Sequence, residues 1–591
     1  MRSDSNEHGD GGTSYDAHLD LRSAVDRRKF VQLLGLGGGT LLAGCGGGGD
    51  PGGGGTSGGT TSGGDTGGDT TDGGSTDEST DTPESGLKHG GHLRVSTATS
   101  PQTISPFKGI TTTDYVFKET MYSRLTTVDT GLQTRPNLAK EWSANDDATE
   151  YTFVLQDDAT FPSGKEVLAE DVVATVELLL SDKVSAGNKD VNPLQVNDGE
   201  PAIEVEDDKR LTFTLSRADA PYPKRVTETG STFNIVSKDV AENKFDQLSD
   251  QDFGNGPFNL VEFEKGDHYT FEANDDYFLE DENGNQLPYV DKMTWKIISD
   301  PIPRVNALRD KRVDALQALP PKTLSRAENM SGVQVQSQTS GKFLNVVLNT
   351  DLEPFQDVRV RKAMKYAMDK EEMLASISGR GAKGHHSPIS PVHEYYAEDI
   401  DDPFGPGAKP GEAKSLLEEA GYGDGLELPT LIYSQGETPE KGPITQVFQQ
   451  QMKNAGIDFG IELVTPDTWL SEYWNKDDVW YMSTWVMRVE DTTVPMLALR
   501  SEGSWNSARW GNDEYDAALQ KAFKAPSKEE RAKHLKTCQQ IHHTEGAWLH
   551  CAFLNVFGAA QDYVEEYEMM PTTSRSYIAS AALTSDAPEG P

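Results

Sequence analysis

Three observations predict an α/β fold for this 591-residue chain. Short runs such as Tyr151–Leu155 and Leu211–Leu215 alternate polar and apolar residues with period two, the signature of half-buried strands. Other segments repeat apolar residues at helical spacing. The two kinds of segment are interleaved from His92 onward instead of being segregated, which is the α/β arrangement.

The helical stripes are specific. Ala169–Leu180 puts Val172, Val173, Val176, Leu179 and Leu180 on one face, with Glu170 and Asp171 at the positive end of the helix dipole. Val360, Ala363, Met364, Ala367 and Met368 make a second stripe. A third runs through Ala413, Leu416, Leu417 and Ala420, closed by Gly421 where a left-handed residue ends a helix.

The first 90 residues read as an address, a tether and a spacer. Arg27 and Arg28 precede the mildly apolar stretch Val31–Ala43, a pattern resembling a twin-arginine export signal. That stretch would rise only about 20 Å as a helix, short of the roughly 30 Å hydrocarbon core, so it is not expected to span a membrane. Leu42-Ala43-Gly44-Cys45 resembles a lipobox, which predicts a signal peptide over 1–45 and a lipidated Cys45 at the mature N-terminus. Residues 46–90 are a Gly/Thr/Asp-rich linker with almost nothing to nucleate a core, and disorder is expected there. The folded body is therefore expected outside the cytoplasm, lipid-anchored to the outer face of the cell membrane.

The 95 acidic against 54 basic residues give a formal charge of −41. Such a surface repels phosphate backbones, so no nucleic-acid partner is expected. The acidic residues decorate segments that keep their apolar periodicity, as a carboxylate skin suited to high salt would, and a halophilic source is inferred. Asp281-Glu-Asn-Gly-Asn285 approaches a calcium loop but fails its spacing. Of three cysteines, Cys538 and Cys551 remain after lipidation; they are read as small buried apolar residues, with a single bridge as the alternative.

At the level of longer motifs the chain resembles the family 5 extracellular solute-binding proteins of ABC transporters, the peptide-binding type. The matching pieces are Leu138-Ala-Lys-Glu-Trp142, Phe161-Pro-Ser-Gly164, Gly254-Asn-Gly-Pro-Phe258, Arg304 with Asp314, Pro354 to Arg361, Glu419-Ala-Gly-Tyr422 and Asn512-Asp-Glu-Tyr-Asp516. The resemblance implies a periplasmic-binding-protein-like clamp of two lobes with mixed β-sheets. Lobe one, with an extra subdomain, would be discontinuous, 91–342 plus 547–591, and lobe two inserted as 343–546. Phe343–Leu348 and Ala547–Leu554 are the expected crossings. It further implies a non-catalytic carrier, a monomer, that captures an oligopeptide or oligosaccharide and delivers it to permease subunits.

In relatives a Trp-x-x-Asp-x-x-Asp-Pro stretch supplies an aspartate for the ligand's amino terminus. Here it reads Trp485-Val-Met-Arg488-Val-Glu490-Asp491-Thr492. Arg488 cannot hold an ammonium group, which leaves Glu490 or Asp491 to do so. Arg488 could meet a ligand carboxylate or phosphate in bidentate fashion, or pair with Glu490 or Asp491. Tryptophans 469, 474, 480, 485, 505 and 510 fall within 42 positions, a density suiting either a stacking cleft or the core of lobe two. Trp485, Trp505 and Trp510 are taken as ligand candidates beside Arg488, Glu490 and Asp491.

No cofactor or metal is called for. Gly379-Arg-Gly-Ala-Lys-Gly384 fits a dinucleotide fingerprint but follows a helix. His385, His386, His393 and Glu394 are expected in a proline-punctuated surface loop, metal ligation being the alternative. A secreted hydrolase lacks its usual sequence signatures here, although two carboxylates brought together by folding could still act as a glycosidase. A sensory receptor would use the same clamp with a different partner.

Overall fold

The computed structural model describes residue 87 and residues 89–588, apart from 109–111, 185–193, 198, 228–232, 435–437 and 573–577. Arg27, Arg28, Cys45 and the linker through residue 86 lie outside the described residues. Among the described residues no helix is long and apolar enough to cross a membrane.

One mixed sheet of eleven strands organises the molecule. In chain order these are β1 (His92–Thr97), β2 (Phe258–Glu264), β3 (His268–Ala273), β4 (Lys292–Ile297), β5 (Ala315–Leu316), β6 (Val333–Val347), β7 (Gly381–Ala382), β8 (Leu431–Ser434), β9 (Ile461–Val464), β10 (Tyr481–Trp485) and β11 (Trp548–Gln561). Their spatial order is β2-β3-β4-β1-β5-β11-β6-β10-β8-β9, with β7 also paired to β11. Parallel pairs (β1 with β4 and β5, β8 with β9 and β10) sit beside antiparallel ones. This is the α/β class and the mixed sheet that the sequence predicts.

Two cores lie along this sheet. One gathers Val95, Phe117, Phe153, Phe213, Tyr222, Trp295 and Tyr563; the other gathers Phe343, Met364, Phe448, Trp480, Trp485 and Trp548. They are the two lobes. A separate four-stranded sheet (Ala139–Ala144, Glu150–Leu155, Ile203–Asp207, Arg210–Thr214) belongs to lobe one.

The long strands β6 and β11 run antiparallel from one core into the other. Their pairing is regular from Val333–Gln561 to Thr339–Asn555, breaks, and resumes at Phe343–Phe553. At the break Gly341 approaches Met487 so closely that a Cβ would stand 2.5 Å from its side chain.

The helical stripes form as read. Ala169–Leu180 is a helix with Val172, Val176 and Leu179 buried, and Val173 and Leu180 half-buried. Asp171 has turned inward: its carboxylate accepts from the backbone N–H of Leu168 and of Lys238. The helix Pro410–Glu419 ends before Gly421, whose φ of 95° is the left-handed value expected. Two glycines of the 379–384 motif serve packing, while Gly379 takes a left-handed φ of 70° in open space. A Cβ at Gly381 would lie 2.5 Å from the Phe553 carbonyl oxygen, and one at Gly384 would lie 2.3 Å from the Phe553 ring.

Candidate functional site

The site is built where the segment leaving β10 meets lobe one. Trp485 closes the strand opposite Phe343, and Met487 and Val489 then point into a small apolar cluster shared with Val128, Leu132 and Met570. After Val489 the chain turns on its own side chains. Glu490 accepts from the Thr492 N–H at 2.9 Å and from the Thr492 and Thr493 hydroxyls at 2.8 and 3.0 Å, which fixes the carboxylate.

From lobe one comes the short helix Tyr222–Arg225, started by Pro221. Its last two residues face that turn. Lys224 Nζ lies 3.2 Å from Asp491 Oδ2. Arg225 spans Asp219, at 2.6 and 2.9 Å, and Glu490, at 3.2 Å. Asp219, Lys224, Arg225, Glu490 and Asp491 are all at least nine-tenths buried. Burial would lower the Lys224 ammonium, but Asp491 and Glu490 outweigh it and hold its pKa raised. The lobes also touch where the Ala220 N–H donates to the Phe523 carbonyl at 3.0 Å.

The predicted site residues therefore have different fates. Arg488 does not pair with Glu490 or Asp491, because lobe one's cations hold both. Its Nε is buried without a hydrogen-bond partner. Its carbonyl accepts from His393 Nε2 at 2.9 Å, and the His393 Nδ1 accepts from the Ser390 N–H, which fixes the tautomer. Trp485 is buried, its ring 5.2 Å from Trp548 and 6.0 Å from Trp505. Trp505 is half-buried on the edge of that group. Trp510 is buried and packs inside lobe two, with Tyr515 at 5.3 Å and His542 at 5.2 Å. Lys224 and Arg225 escaped the sequence reading because they lie more than 260 positions from their lobe-two partners.

A cavity of about 70 Å³ opens in the lobe-one wall between Arg124, Val128, Thr227 and Met570. It is large enough for a few waters or one small group and much smaller than a peptide.

The histidine loop is a correction. His386 and His393 are buried, not on a surface loop. His386 stacks on His543 at 5.4 Å, and Glu394 is tied to Lys528. Among the described residues the grouping with metal-ligand spacing is instead Glu264, Asp267 and His268, on an exposed hairpin. Asp281 spends its carboxylate on the N–H groups of Asn283 and Asn285, both at 2.8 Å, within its own turn. Cys538 and Cys551 are buried and unbridged.

Comparison with known proteins agrees with this architecture. Residues 133–507 match the model for bacterial extracellular solute-binding proteins, family 5. The chain is 26% identical over 514 residues to di/tripeptide-binding protein 2 of Pseudomonas aeruginosa, covering 82% of this chain and 94% of that protein. It is 25% identical over 525 residues to heme-binding protein A of Haemophilus influenzae, covering 84% and 93%. Among solved structures, the substrate-binding protein CtaP of Listeria monocytogenes superposes with a TM-score of 0.71 at 22% identity, covering 83% of this chain and all of that one. The match spans well over half of the chain and runs through the elements that build both lobes, and the chain belongs to the family 5 bacterial extracellular solute-binding proteins.

Proposed function

We propose that this protein captures an oligopeptide, or a similar small solute, outside the cell and presents it to the permease subunits of an ABC importer. The observation that carries this reading is the pair of strands β6 and β11, which run through both lobes and lose register between Thr339 and Phe343. A body joined by two such strands can open and shut, and a solute that binds both lobes stabilises the shut form by its differential affinity. The di/tripeptide-binding relative supports a peptide as the cargo.

The finer parts of the reading follow from it. Lobe one comprises 91–342 plus the returning chain, expected from 547 but packing with lobe two as far as Leu554, and lobe two is 343–546 with that stretch added; the register break supports flexing at Ser340 to Lys342, just before Phe343. Arg27 and Arg28 direct export, Cys45 carries the lipid, and the linker lets a monomeric body reach its membrane partner. The acidic skin keeps it soluble in high salt. Arg488, with a buried nitrogen lacking a partner, and the Trp485–Trp505 pair are its ligand contacts.

The test is mass spectrometry of the solute that co-purifies with protein expressed in high salt, followed by titration of that solute into stripped protein. A bound peptide is the expected result. A protein that binds no peptide and turns over peptides or glycans overturns the reading.

A further inference from the structure

The contact between Tyr222–Arg225 and the 490–493 turn is made by the protein's own side chains, most of them charged. Five ionisable side chains meet there: Asp219, Lys224 and Arg225 from lobe one, and Glu490 and Asp491 from lobe two. Each is nine-tenths or more buried. Arg225 is held at both ends, by Asp219 within its own lobe and by Glu490 and the Thr493 hydroxyl in the other. Lys224 places its ammonium within ion-pair distance of Asp491 alone among the described residues, with Glu490 and Glu394 adding to the attraction.

We propose that Lys224 and Arg225 determine what the cleft accepts: they occupy Asp491 and Glu490 from the opposite lobe, which holds the lobes together without solute and withholds both carboxylates from a ligand's ammonium group. The physical reason lies in where the desolvation cost falls. With both partners present, a buried ion pair is nearly balanced between lost hydration and gained attraction, and when the lobes part both ions regain water. The pair can therefore hold the lobes without locking them. With one partner deleted, the remaining charge is buried uncompensated only while the lobes touch, so contact becomes unfavourable and opening relieves it.

The same occupancy sets specificity. An incoming ammonium would have to displace Lys224, a like charge already neutralising Asp491, and gains nothing by the exchange. Asp491 Oδ1 remains buried with no donor. It is an acceptor for a neutral N–H, such as a ligand amide, which reaches the oxygen without displacing the lysine. Lys224 thus takes the electrostatic part that a ligand amine would otherwise play.

This inference rests on reading the chain as a hinged solute carrier, and its first test needs no solute. Spin labels are placed at two exposed positions, one per lobe, by Glu204→Cys and Glu462→Cys in a full-length Cys45→Ser background, and the interlabel distance is measured by double electron–electron resonance. The native charges should give one short distance in ligand-free protein. Lys224→Met should add a second, longer population, and Lys224→Met combined with Asp491→Leu, which leaves no charge to strand, should restore the short one. A Lys224→Met distribution identical to the wild type, in protein with native circular dichroism, overturns the proposal. Specificity is read by titrating trialanine and N-acetyl-trialanine. The wild type should bind the two within about threefold of each other, whereas Lys224→Met should favour the free amine by about tenfold or more. A wild type that already prefers the free amine tenfold refutes the withholding of the carboxylates. Failure of the import reading would leave the distance measurement unaffected, so the two failures are distinguishable.

Discussion

Asp314 grips Arg94 along one edge of the guanidinium, with oxygen–nitrogen distances of 2.6 and 2.8 Å. Asp314 precedes β5, Arg94 sits in β1 beside it, and the Tyr563 hydroxyl donates to the same carboxylate at 2.7 Å from the turn just after β11. One carboxylate therefore ties three distant stretches of chain together. Its side chain is 2% exposed and that of Arg94 15%, so a guanidinium left without its partner regains little water in place. Asp314→Ala is expected to cost about 3–5 kcal/mol, the usual penalty for stranding a buried charge. Urea unfolding should show a lower midpoint with an unchanged slope.

Gly254 has no room for a side chain. A Cβ there would stand 1.8 Å from the Met121 carbonyl oxygen, and backbone cannot step aside as a flexible side chain can. Gly254→Ala is expected to destabilise lobe one by about 3 kcal/mol or more, the upper end of the overpacking range. A thermal scan checks this, and Gly266→Ala, at a turn glycine with open space around it and a φ of 93°, should cost only about 1 kcal/mol.

Acid should loosen lobe two. His386, His542, His543 and His550 pack together with the buried Lys365 and the half-buried Lys370, and Asp402 beside His543 is the one carboxylate bonded to the cluster among the described residues. Burial is the main cause that pushes His542 down to about 3 and His543 to about 4, and it holds His386 and His550 well below their ordinary value. These rings fold neutral. Unfolded, they take protons below about pH 6.5, so the stability they contribute is complete above that pH and falls as pH drops towards 4, by up to about 1.4 kcal/mol per pH unit for each ring. Melting temperatures between pH 7.5 and 4.5 should fall, and His550→Phe, which replaces a ring with neither nitrogen partnered, should flatten the decline.

Arg488 is the candidate for reading charge on a ligand. Its Nε is buried without a partner, and the nearby carboxylates are engaged elsewhere. Arg488→Ala should weaken an acidic peptide by roughly 1.5–3 kcal/mol while a neutral analogue changes little. Calorimetry on both ligands decides the matter; equal losses would remove the charge-reading role.

The two body thiols should be silent in the native protein. Cys538 and Cys551 are 1% and 0% exposed, and burial pushes the Cys551 thiol up to about 12 and raises that of Cys538 as well. Neither can supply thiolate at neutral pH. A thiol reagent applied to a Cys45→Ser protein should count none when folded and two after denaturation.

Local pattern carried much of the fold. Helix Ala169–Leu180 has the bounds its apolar stripe marks, and Gly421 takes the left-handed conformation its position requires, because both depend on neighbours within a turn or two. The strand character of Phe343–Leu348 and Ala547–Leu554 was legible for the same reason, although the register break lies just outside the first of them. Composition alone was less reliable. The polar, proline-rich segment holding His386 and His393 looks exposed in sequence, yet helix Lys528–Glu545 and β11 arrive from some 150 positions away to cover it.

The sequence by itself determined the class of fold, the bounds of a few elements and the family, since apolar periodicity, turn chemistry and ordered motifs are properties of short stretches. Only the tertiary structure decided how the charges of the turn after β10 are spent. Whether Glu490 and Asp491 face a solute or a neighbour depends on which cations folding brings within about 3 Å, and Lys224 and Arg225 reach them from another lobe. Burial makes that choice matter: a carboxylate removed from water must be paired, and no local pattern names the partner.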